Sequence, residues 1–204
     1  MKEDQTTETK IKEAARSIFL RKGYEATRTR DIAEASGINL ALLNYYFRSK
    51  KKLFDQIMNE SLHTFLGVIF TILNDPDSSI REKISAFVDT YINMLQANPN
   101  LPIFILSEIR TNPEEFVKKM EIKEKLMGSI FKQQFFEEVR CGTIHLQINP
   151  IHILFNLSSL IVFPFIASPL VKEMANLDDE SFQELMQERR TLIPGWIEAL
   201  FDQH

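Results

Sequence analysis

The amino-acid sequence predicts an all-helical fold, with a short three-helix unit at the N-terminus and a larger helical region after it. Apolar residues recur every three or four positions through most of the chain, which is typical of amphipathic α-helices. No stretch alternates apolar and polar residues convincingly, as a half-buried β-strand would. Residues that begin helices also recur, such as the pair Asn149-Pro150 and the acidic run from Asp178 to Glu180.

These patterns predict nine helices, over residues 7–23, 30–36, 40–47, 50–74, 79–97, 101–110, 113–140, 150–173 and 179–203. We expect Pro164, Pro169 and the Pro194-Gly195 pair to bend or interrupt the last two helices. The reason is that proline lacks the main-chain donor that a helix interior requires, and its ring clashes with the preceding turn.

The chain of 204 residues carries a formal net charge of −4, and this charge is unevenly distributed. Residues 1–58 hold 12 Lys or Arg against 8 Asp or Glu, a balance of +4. Residues 59–204 hold 12 against 20, a balance of −8. A basic N-terminal end on an acidic body favours a polyanionic partner, such as nucleic acid, at that end only.

The strongest motif lies in the first three predicted helices, which are short and closely spaced. Gly23 is expected to end the first helix in a left-handed conformation, and Thr29 to cap the second, helped by Asp31 in its first turn. Residues 36–38 (Ser-Gly-Ile) then form a tight turn, since glycine adopts positive φ without strain. Two short helices joined by such a turn are the helix-turn-helix pattern of DNA-binding proteins.

Helical periodicity separates a buried from an exposed face on the third helix. Leu43 and Phe47 are four residues apart and are predicted to pack onto the first two helices. The residues left for the opposite face and its flanks are Ala41, Leu42, Asn44 and Tyr45. Such a face suits a DNA groove, because an amide can pair with a base edge and a phenolic hydroxyl can donate to a phosphate.

Three lysines, Lys50 to Lys52, open the fourth predicted helix, with Ser49 as its N-cap. Cations are unfavourable at this end, because a helix N-terminus carries roughly half a positive charge. A DNA phosphate at this position would meet both the free N–H groups and the ammonium groups, so we expect DNA binding to offset the cost. For Lys51 and Lys52, an ordinary solvated charged face is the alternative interpretation.

Residues 23–33, the turn at 36–38 and residues 43–53 together resemble the DNA-binding domain of the tetracycline-repressor (TetR) family of bacterial regulators. The resemblance covers about residues 9–56, roughly a quarter of the chain. It implies an all-helical homodimeric regulator, of repressor type, that binds a palindromic operator and is released by a small apolar effector.

The same resemblance implies a helix-turn-helix DNA-binding domain over residues 1–52 and a ligand-binding and dimerisation domain over residues 53–204. Base contacts then fall on Asn39, Leu40, Ala41 and Asn44, and phosphate contacts on Arg28, Thr29, Tyr45 and Lys50. Leu40 has two interpretations, contact with a thymine methyl group or packing in the core. At Leu42, Asn44 and Tyr46 the chain departs from the common family pattern, so the operator sequence cannot be copied from relatives.

Phenylalanine is concentrated after the motif, since 14 of the 16 lie at or beyond Phe54. The residues predicted to line an apolar effector cavity are Phe65, Ile69, Phe87, Tyr91, Phe104, Phe131, Phe135, His152, Phe155 and Asn156. The alternative is that the apolar members of this set form ordinary core. In the first interpretation Tyr91, His152 and Asn156 supply the polar groups that orient the effector.

The last two predicted helices carry more apolar surface than one buried face requires. The residues concerned are Ile151, Leu154, Phe155, Leu157, Leu160, Ile161, Phe163, Phe182, Leu185, Leu192, Trp196, Ile197, Leu200 and Phe201. Paired across a two-fold axis, these helices would form a four-helix dimer interface. A dimer could place two DNA-binding helices about 34 Å apart, in successive major grooves of a palindromic site.

The sequence shows no glycine-rich phosphate loop, metal-spaced Cys/His set or nucleophile elbow, so we predict no enzymatic activity, cofactor or metal. The single cysteine, Cys141, allows no internal disulfide, and the polar N-terminus does not resemble an export signal. Both features indicate the cytoplasm. The most apolar run, residues 151–167, is expected to be a buried helix. The alternative function is a helical lipid-binding or membrane-surface protein whose basic end meets anionic lipid.

Overall fold

A computed structural model of the chain describes residues 2–111, 113–145 and 148–201, and within these ranges it contains twelve α-helices and no β-strand. The helices are α1 (Lys2–Ala26), α2 (Thr29–Ser36), α3 (Leu40–Phe47), α4 (Lys50–Leu73), α5 (Ile80–Ala97), α6 (Leu101–Thr111), α7 (Pro113–Lys119), α8 (Ile122–Met127), α9 (Ile130–Cys141), α10 (Ile151–Ile166), α11 (Ser168–Ala175) and α12 (Asp179–Phe201). The all-helical prediction is confirmed, although the described part of the chain has more helices than the nine predicted.

The predicted helix over residues 113–140 forms three separate helices, α7, α8 and α9. Glu121 adopts a left-handed conformation (φ 52°) between α7 and α8, which ends the helical path there. Ser129 then starts α9 as an N-cap, because its hydroxyl accepts a hydrogen bond from the Lys132 N–H. Because polar residues are scattered through this segment, the spacing of its apolar residues did not reveal either break.

The predicted helix over residues 150–173 divides at Ala167 into α10 and α11, which meet at an angle of 67°. Pro169 lies in the first turn of α11, where its missing N–H costs least. Pro194, in contrast, lies inside α12 without ending it. The neighbouring Ile193 and Ile197 are buried, so packing against the core holds the helix together across the proline.

The first three helices and the start of α4 pack around one apolar core. Phe19 and Phe54 meet edge to face, with ring centroids 5.2 Å apart, and Leu43 and Leu53 are fully buried beside the same helices. Gly23 (φ 76°) kinks α1 one turn before its end instead of ending it. Helices α1 and α2 and the start of α4 therefore form a compact platform, and α3 packs on it with one side exposed.

The prediction that Thr29 caps α2 is wrong by one residue. Arg28 is the N-cap and Thr29 is the first helical residue. The Asp31 carboxylate accepts a hydrogen bond from the Arg28 main-chain N–H at 3.2 Å and one from the Lys22 ammonium at 3.2 Å. The main-chain hydrogen bond and then the lysine lower the pKa of Asp31 below its ordinary value.

Helix α4 connects the N-terminal unit to the rest of the fold, because it continues through residues 52 and 53 without a break. Its buried face includes Leu53 and Ile57 near its start and Phe65 and Ile69 further along. The same helix therefore packs in the N-terminal unit and in the body. Around it, α5 packs against α4 and α12, and α10 packs against α12 and α5. The body is thus a helical bundle, and its helix α4 begins directly after α3.

Polar side chains also join α1 to the body. The Arg16 guanidinium donates to the Ser61 hydroxyl at 2.5 Å and to the Asn98 side-chain oxygen at 3.4 Å. The Lys12 ammonium donates to the Glu60 carboxylate at 2.9 Å. These contacts link α1 with α4 and with the residue that follows α5, so a change in the body has a direct route to the N-terminal unit.

Among the described residues, no single helix has both the length and the apolar composition needed to cross a bilayer. The bent pair α10 and α11 reaches those criteria only when the two helices are taken together. Ile153, Leu157, Ile161 and Phe165 of α10 are buried inside the fold, as expected for a core helix.

Candidate nucleic-acid interface

The turn between α2 and α3 is closed by its own main chain. Gly37 adopts a left-handed conformation (φ 69°), and its N–H meets the carbonyl oxygens of Ala33 and Glu34. The Ile38 N–H donates to the Ala33 carbonyl oxygen at 3.0 Å. Asn39 then caps α3 by accepting from the Leu42 N–H at 2.8 Å. The direction of α3 is therefore set by hydrogen bonds on both sides of the turn.

Helix α3 has one buried and one exposed side, as its periodicity predicts. Leu43 and Phe47 are buried against the platform. Ala41 and Asn44 are exposed, and the Tyr45 side chain is 78% exposed. The Tyr45 ring packs edge to face on Tyr46, with centroids 5.5 Å apart, which orients its hydroxyl without burying it. An amide and a phenol thus project from a small, accessible helix face.

The remaining predicted base contacts are less exposed or partly occupied. The side-chain oxygen of Asn39 is used in the cap of α3, which leaves its NH2 group for an outside acceptor. Leu40 is half-buried, so its position is compatible with both interpretations of its role. Of the predicted phosphate contacts before α3, Arg28 is exposed and Thr29 is half-buried.

Lys50 has a partner inside the protein that the sequence analysis did not foresee. Its ammonium donates to the carbonyl oxygens of Tyr24 at 2.9 Å and Thr27 at 3.0 Å, and it lies 4.2 Å from the centroid of the Tyr24 ring. These carbonyls belong to the last turn of α1 and the connection after it, where the helix dipole favours a cation. The cost of Lys50 at the start of α4 is therefore offset within the protein, without DNA. One of its three donors remains for the phosphate contact predicted from the sequence.

The other two lysines differ from each other. The Lys51 ammonium pairs with the Asp55 carboxylate at 2.7 Å, one turn further along α4. Lys52 is exposed and makes no ion pair within the described part of the chain. Its neighbour four residues on is Gln56, and this absence of a carboxylate was the sequence signal that distinguishes it from Lys51.

Arg48 is a functional candidate that the sequence analysis missed. It follows the last residue of α3 with a positive φ of 57°, and its side chain is exposed. No ion pair to it is found among the described residues, so its charge is available to a partner. Together with Arg28 and Lys52, it supplies exposed positive charge before α2 and after α3.

The ten residues predicted to line one effector cavity are not brought together. Phe65 lines an open cavity of about 370 Å³ between α1, α4 and α5. Phe131 lines a cavity of about 260 Å³ between α8, α9 and α10. Phe104 lines a groove of about 510 Å³ between the end of α1, the start of α4 and α6. A single cavity lined by all ten was therefore a wrong expectation.

The other seven residues line none of these three spaces. Ile69, Phe87 and Phe135 are buried in the core. Tyr91 packs on the Phe65 and Phe87 rings at centroid distances of 4.5 and 5.7 Å, and burial raises the pKa of Tyr91 to about 12. The three that project outward from α10 are His152, Phe155 and Asn156. Because that helix is apolar nearly all round, periodicity did not reveal which of its sides is exposed.

Comparison with known proteins agrees with this geometry. Residues 11–57 match the family described as bacterial regulatory proteins, tetR family. Over 202 residues the chain is 25% identical to the probable HTH-type transcriptional regulator YttP of Bacillus subtilis strain 168, which covers 96% of this chain and 94% of that protein.

Among the solved structures that share the fold are two transcriptional regulators. One is a transcriptional regulator of the TetR/AcrR family from Thermobifida fusca, with a TM-score of 0.61 and 22% identity over 92% of this chain and 96% of that one. The other is the transcriptional regulator FadR of Bacillus subtilis in complex with stearoyl-CoA, with a TM-score of 0.60 and 16% identity over 94% of this chain and 98% of that one.

A tight turn, an exposed helix behind it and an all-helical body define a helix-turn-helix transcriptional regulator. The match over residues 11–57 covers α2, α3, the start of α4 and most of α1. Residues 11–57 of the chain match the tetR family of bacterial regulatory proteins, and the resemblance to that family stated from the sequence is confirmed.

Proposed function

We propose that this regulator binds a palindromic DNA operator as a homodimer and represses transcription by occupying the promoter. In this proposal residues 1–52 form the DNA-binding domain, and residues 53–204 bind the effector and the second subunit. The observation that carries the proposal is the exposed face of α3, where Ala41, Asn44 and Tyr45 project from a helix buried on its other side. The major groove of DNA accepts a helix displayed in this way. Such a regulator acts in the cytoplasm.

The exposed side chains divide by chemistry into base and phosphate contacts. We assign base contacts to Asn44, whose amide both donates and accepts, and to Ala41, whose small side chain allows close approach. Asn39 contributes its free NH2 group, and Leu40 offers methyl groups to a thymine. The proposed phosphate contacts are Arg28, Thr29, Tyr45 and the third donor of Lys50, with Arg48 and Lys52 added by their exposure.

Dimerisation is supported by exposed apolar residues on two helices that pack together. Phe155 and Phe163 of α10 are 58% and 65% exposed, and Leu192 and Trp196 of α12 are 43% and 44% exposed. We call these four residues the α10–α12 patch. Large apolar side chains exposed on adjacent helices are typical of a surface that another protein covers. A second copy of the chain would cover it in an isologous interface.

The proposed effector is small and largely apolar, and its best-supported site is the cavity between α1, α4 and α5. Phe65, Val68 and Met94 supply apolar walls, and the polar lining residues are Arg16, Glu60, Ser61, Thr64, Thr90 and Asn98. The FadR structure of similar fold holds stearoyl-CoA, a ligand with a long apolar chain. That example supports an apolar effector for this chain without fixing its identity.

Release from DNA follows if the effector prefers one of two separations of the DNA-binding helices. Arg16 of α1 and Phe65 of α4 both line the proposed effector cavity. A ligand placed between them would change how α1 lies on α4, and α4 begins at Lys50 beside the DNA-binding motif. Operator affinity would then fall with effector concentration.

The test is selection of bound fragments from the source genome with purified full-length protein, followed by titration of a selected duplex at several salt concentrations. We expect a palindromic site, two protein chains per duplex and affinity that falls steeply as salt rises. Random duplex of the same length is the control. Equal affinity for selected and random duplex would contradict operator recognition, and binding to anionic vesicles but to no duplex would favour the lipid-binding alternative.

A further inference from the structure

The groove of about 510 Å³ lies apart from the proposed effector cavity and from the exposed face of α3. We call it the junction groove, because the end of α1, the start of α4 and helix α6 form its walls. Its volume lies within the range of cavities that hold small molecules. Neither base readout nor the proposed effector site uses it.

Three aromatic rings form the apolar wall of the junction groove. The Tyr24 and Phe54 ring centroids are 4.6 Å apart, and Phe54 meets Phe104 edge to face at 6.2 Å. Phe54 and Phe104 are almost completely buried, so the core holds them in place. The aromatic wall of the groove is therefore already in place before a ligand binds.

The charges around the junction groove are unequal once the internal ion pairs are considered. Of its two cations, Lys22 pairs with Asp31 at 3.2 Å and Lys51 pairs with Asp55 at 2.7 Å. Of its carboxylates, Glu25 and Glu108 make no ion pair with the part of the chain that the structure describes. A third cation, Lys50, lies 4.2 Å from the centroid of the Tyr24 ring and is held by main-chain carbonyl groups instead of a carboxylate. Two carboxylates without an ion pair therefore stand against one such ammonium, and the balance at the groove is −1.

We propose that the junction groove binds an organic cation with an aromatic or aliphatic body and an ammonium head. The apolar body would lie on Tyr24, Phe54 and Phe104, while the ammonium group would approach Glu25 and Glu108. Burial on the aromatic wall favours the apolar body, and the two carboxylates attract the ammonium group. The Tyr24 ring already has the Lys50 ammonium as its cation partner, so the carboxylates supply the selectivity for charge. An anionic ligand of the same shape is disfavoured by the same two carboxylates.

Occupancy of the junction groove has a consequence for α1. Residues 23–26 line the groove, and the carbonyl of Tyr24 is one of the two that hold the Lys50 ammonium. A ligand at this wall would therefore act on the link between α1 and α4. An effect of this ligand on DNA affinity rests on the proposed DNA-binding function, whereas binding of the cation to the groove does not.

The experiment compares three probes that share one body and differ in their head groups: 4-phenylbutylammonium, 4-phenylbutan-1-ol and 4-phenylbutyrate. Calorimetric titration of the full chain at neutral pH and low salt should find the ammonium compound bound most tightly and the carboxylate least tightly. The expected preference of ammonium over alcohol is about fivefold, the size of two exposed charge attractions at low salt.

Variants then locate the site. The double substitution Glu25→Gln and Glu108→Gln should remove most of the preference for the ammonium probe, while Glu124→Gln on exposed α8 serves as the matched control. Circular dichroism checks that each variant keeps its helical content. Equal binding of the three probes, no binding of the ammonium probe, or an unchanged preference in the double variant would overturn the proposal. Binding of apoprotein to duplex DNA is measured separately, so its failure would bear on the proposed function and not on the groove.

Discussion

The ammonium of Lys50 lies 2.9 Å from the main-chain carbonyl oxygen of Tyr24 and 4.2 Å from the centroid of its ring. A lysine in the first turn of α4 is in this way held at the C-terminal end of α1. The repulsion from one helix dipole is offset by attraction to the opposite end of another, together with a cation–π contact. The residue thus joins the connection between α1 and α2 to the start of the helix that enters the body.

Lys50→Gln should lower the free energy of unfolding by about 1–2 kcal/mol, because two charge-assisted hydrogen bonds and a cation–π contact are lost at a half-buried position. Lys52→Gln should change stability by less than about 0.5 kcal/mol, since Lys52 is exposed. Urea titration followed by circular dichroism measures both values.

On DNA, the two lysine variants should differ again. Lys52→Gln should reduce the slope of log affinity against log salt by about one unit, as expected for one lost phosphate contact. Lys51→Gln is the matched control, because Lys51 is already paired with Asp55. If Lys50→Gln left stability unchanged and altered only the salt slope, the internal role assigned to Lys50 would be incorrect.

Asn44→Ala should weaken binding to the selected operator by about 1–3 kcal/mol and leave binding to random duplex nearly unchanged, because one base-edge contact is lost. Fluorescence anisotropy with both duplexes provides the comparison. Tyr45→Phe is the contrasting variant, since loss of a phosphate donor should weaken binding to both duplexes alike. A similar loss on both duplexes for Asn44→Ala would remove this residue from base readout.

Phe163→Glu should convert the proposed dimer to monomers, because it places a charge in the most exposed part of α10 in the α10–α12 patch. Analytical ultracentrifugation measures the mass, and operator binding should fall together with dimerisation. Leu106→Glu on α6 is the control, since Leu106 is also exposed (42%) but lies outside the patch. A dimer that persists in Phe163→Glu would place the interface elsewhere.

The pKa of Tyr91 is raised by burial to about 12, which predicts an alkaline loss of stability. The folded-state pKa lies above the unfolded value of about 10, so the contribution is complete below pH 10 and is lost as pH rises towards 12. Two pKa units at 1.36 kcal/mol per unit correspond to a total loss of about 3 kcal/mol above pH 12, and about half of that loss should appear by pH 11.

Tyr91→Phe removes the titrating hydroxyl and should flatten this part of the pH profile. Urea unfolding between pH 9 and 11 compares the variant with the wild type. Tyr45→Phe is the matched control, since the Tyr45 hydroxyl is exposed. An identical decline in Tyr91→Phe and wild type would assign the alkaline transition to other groups.

Local signals made the DNA-binding motif predictable. The limits of α2 and α3 were predicted to within one residue, because Gly37 and the Asn39 cap act through the main chain of their neighbours. The exposed face of α3 followed from a four-residue spacing between Leu43 and Phe47. A short amphipathic helix has only one apolar side to bury, so its orientation could be derived without the rest of the fold.

The body was less predictable for two physical reasons. Helix α10 is apolar on nearly every side, so nothing local distinguishes buried Ile153 and Leu157 from exposed Phe155. The break before α8 occurs at Glu121, a residue type that rarely adopts positive φ, so the residue type gave no signal for it. The positions of the cavities likewise depend on how separate helices meet.

By itself, the sequence determined the all-helical class, the helix-turn-helix motif and the side of α3 that faces outward, since these depend on neighbours within a few residues. Only the tertiary structure decided the role of Lys50, whose carbonyl partners are 23 and 26 positions away. It also placed three of the ten predicted cavity residues in three different spaces and the other seven in none of these. Hydrogen bonds and cavities of this kind form only when distant segments pack together, and the spacing of residues along the chain does not predict that packing.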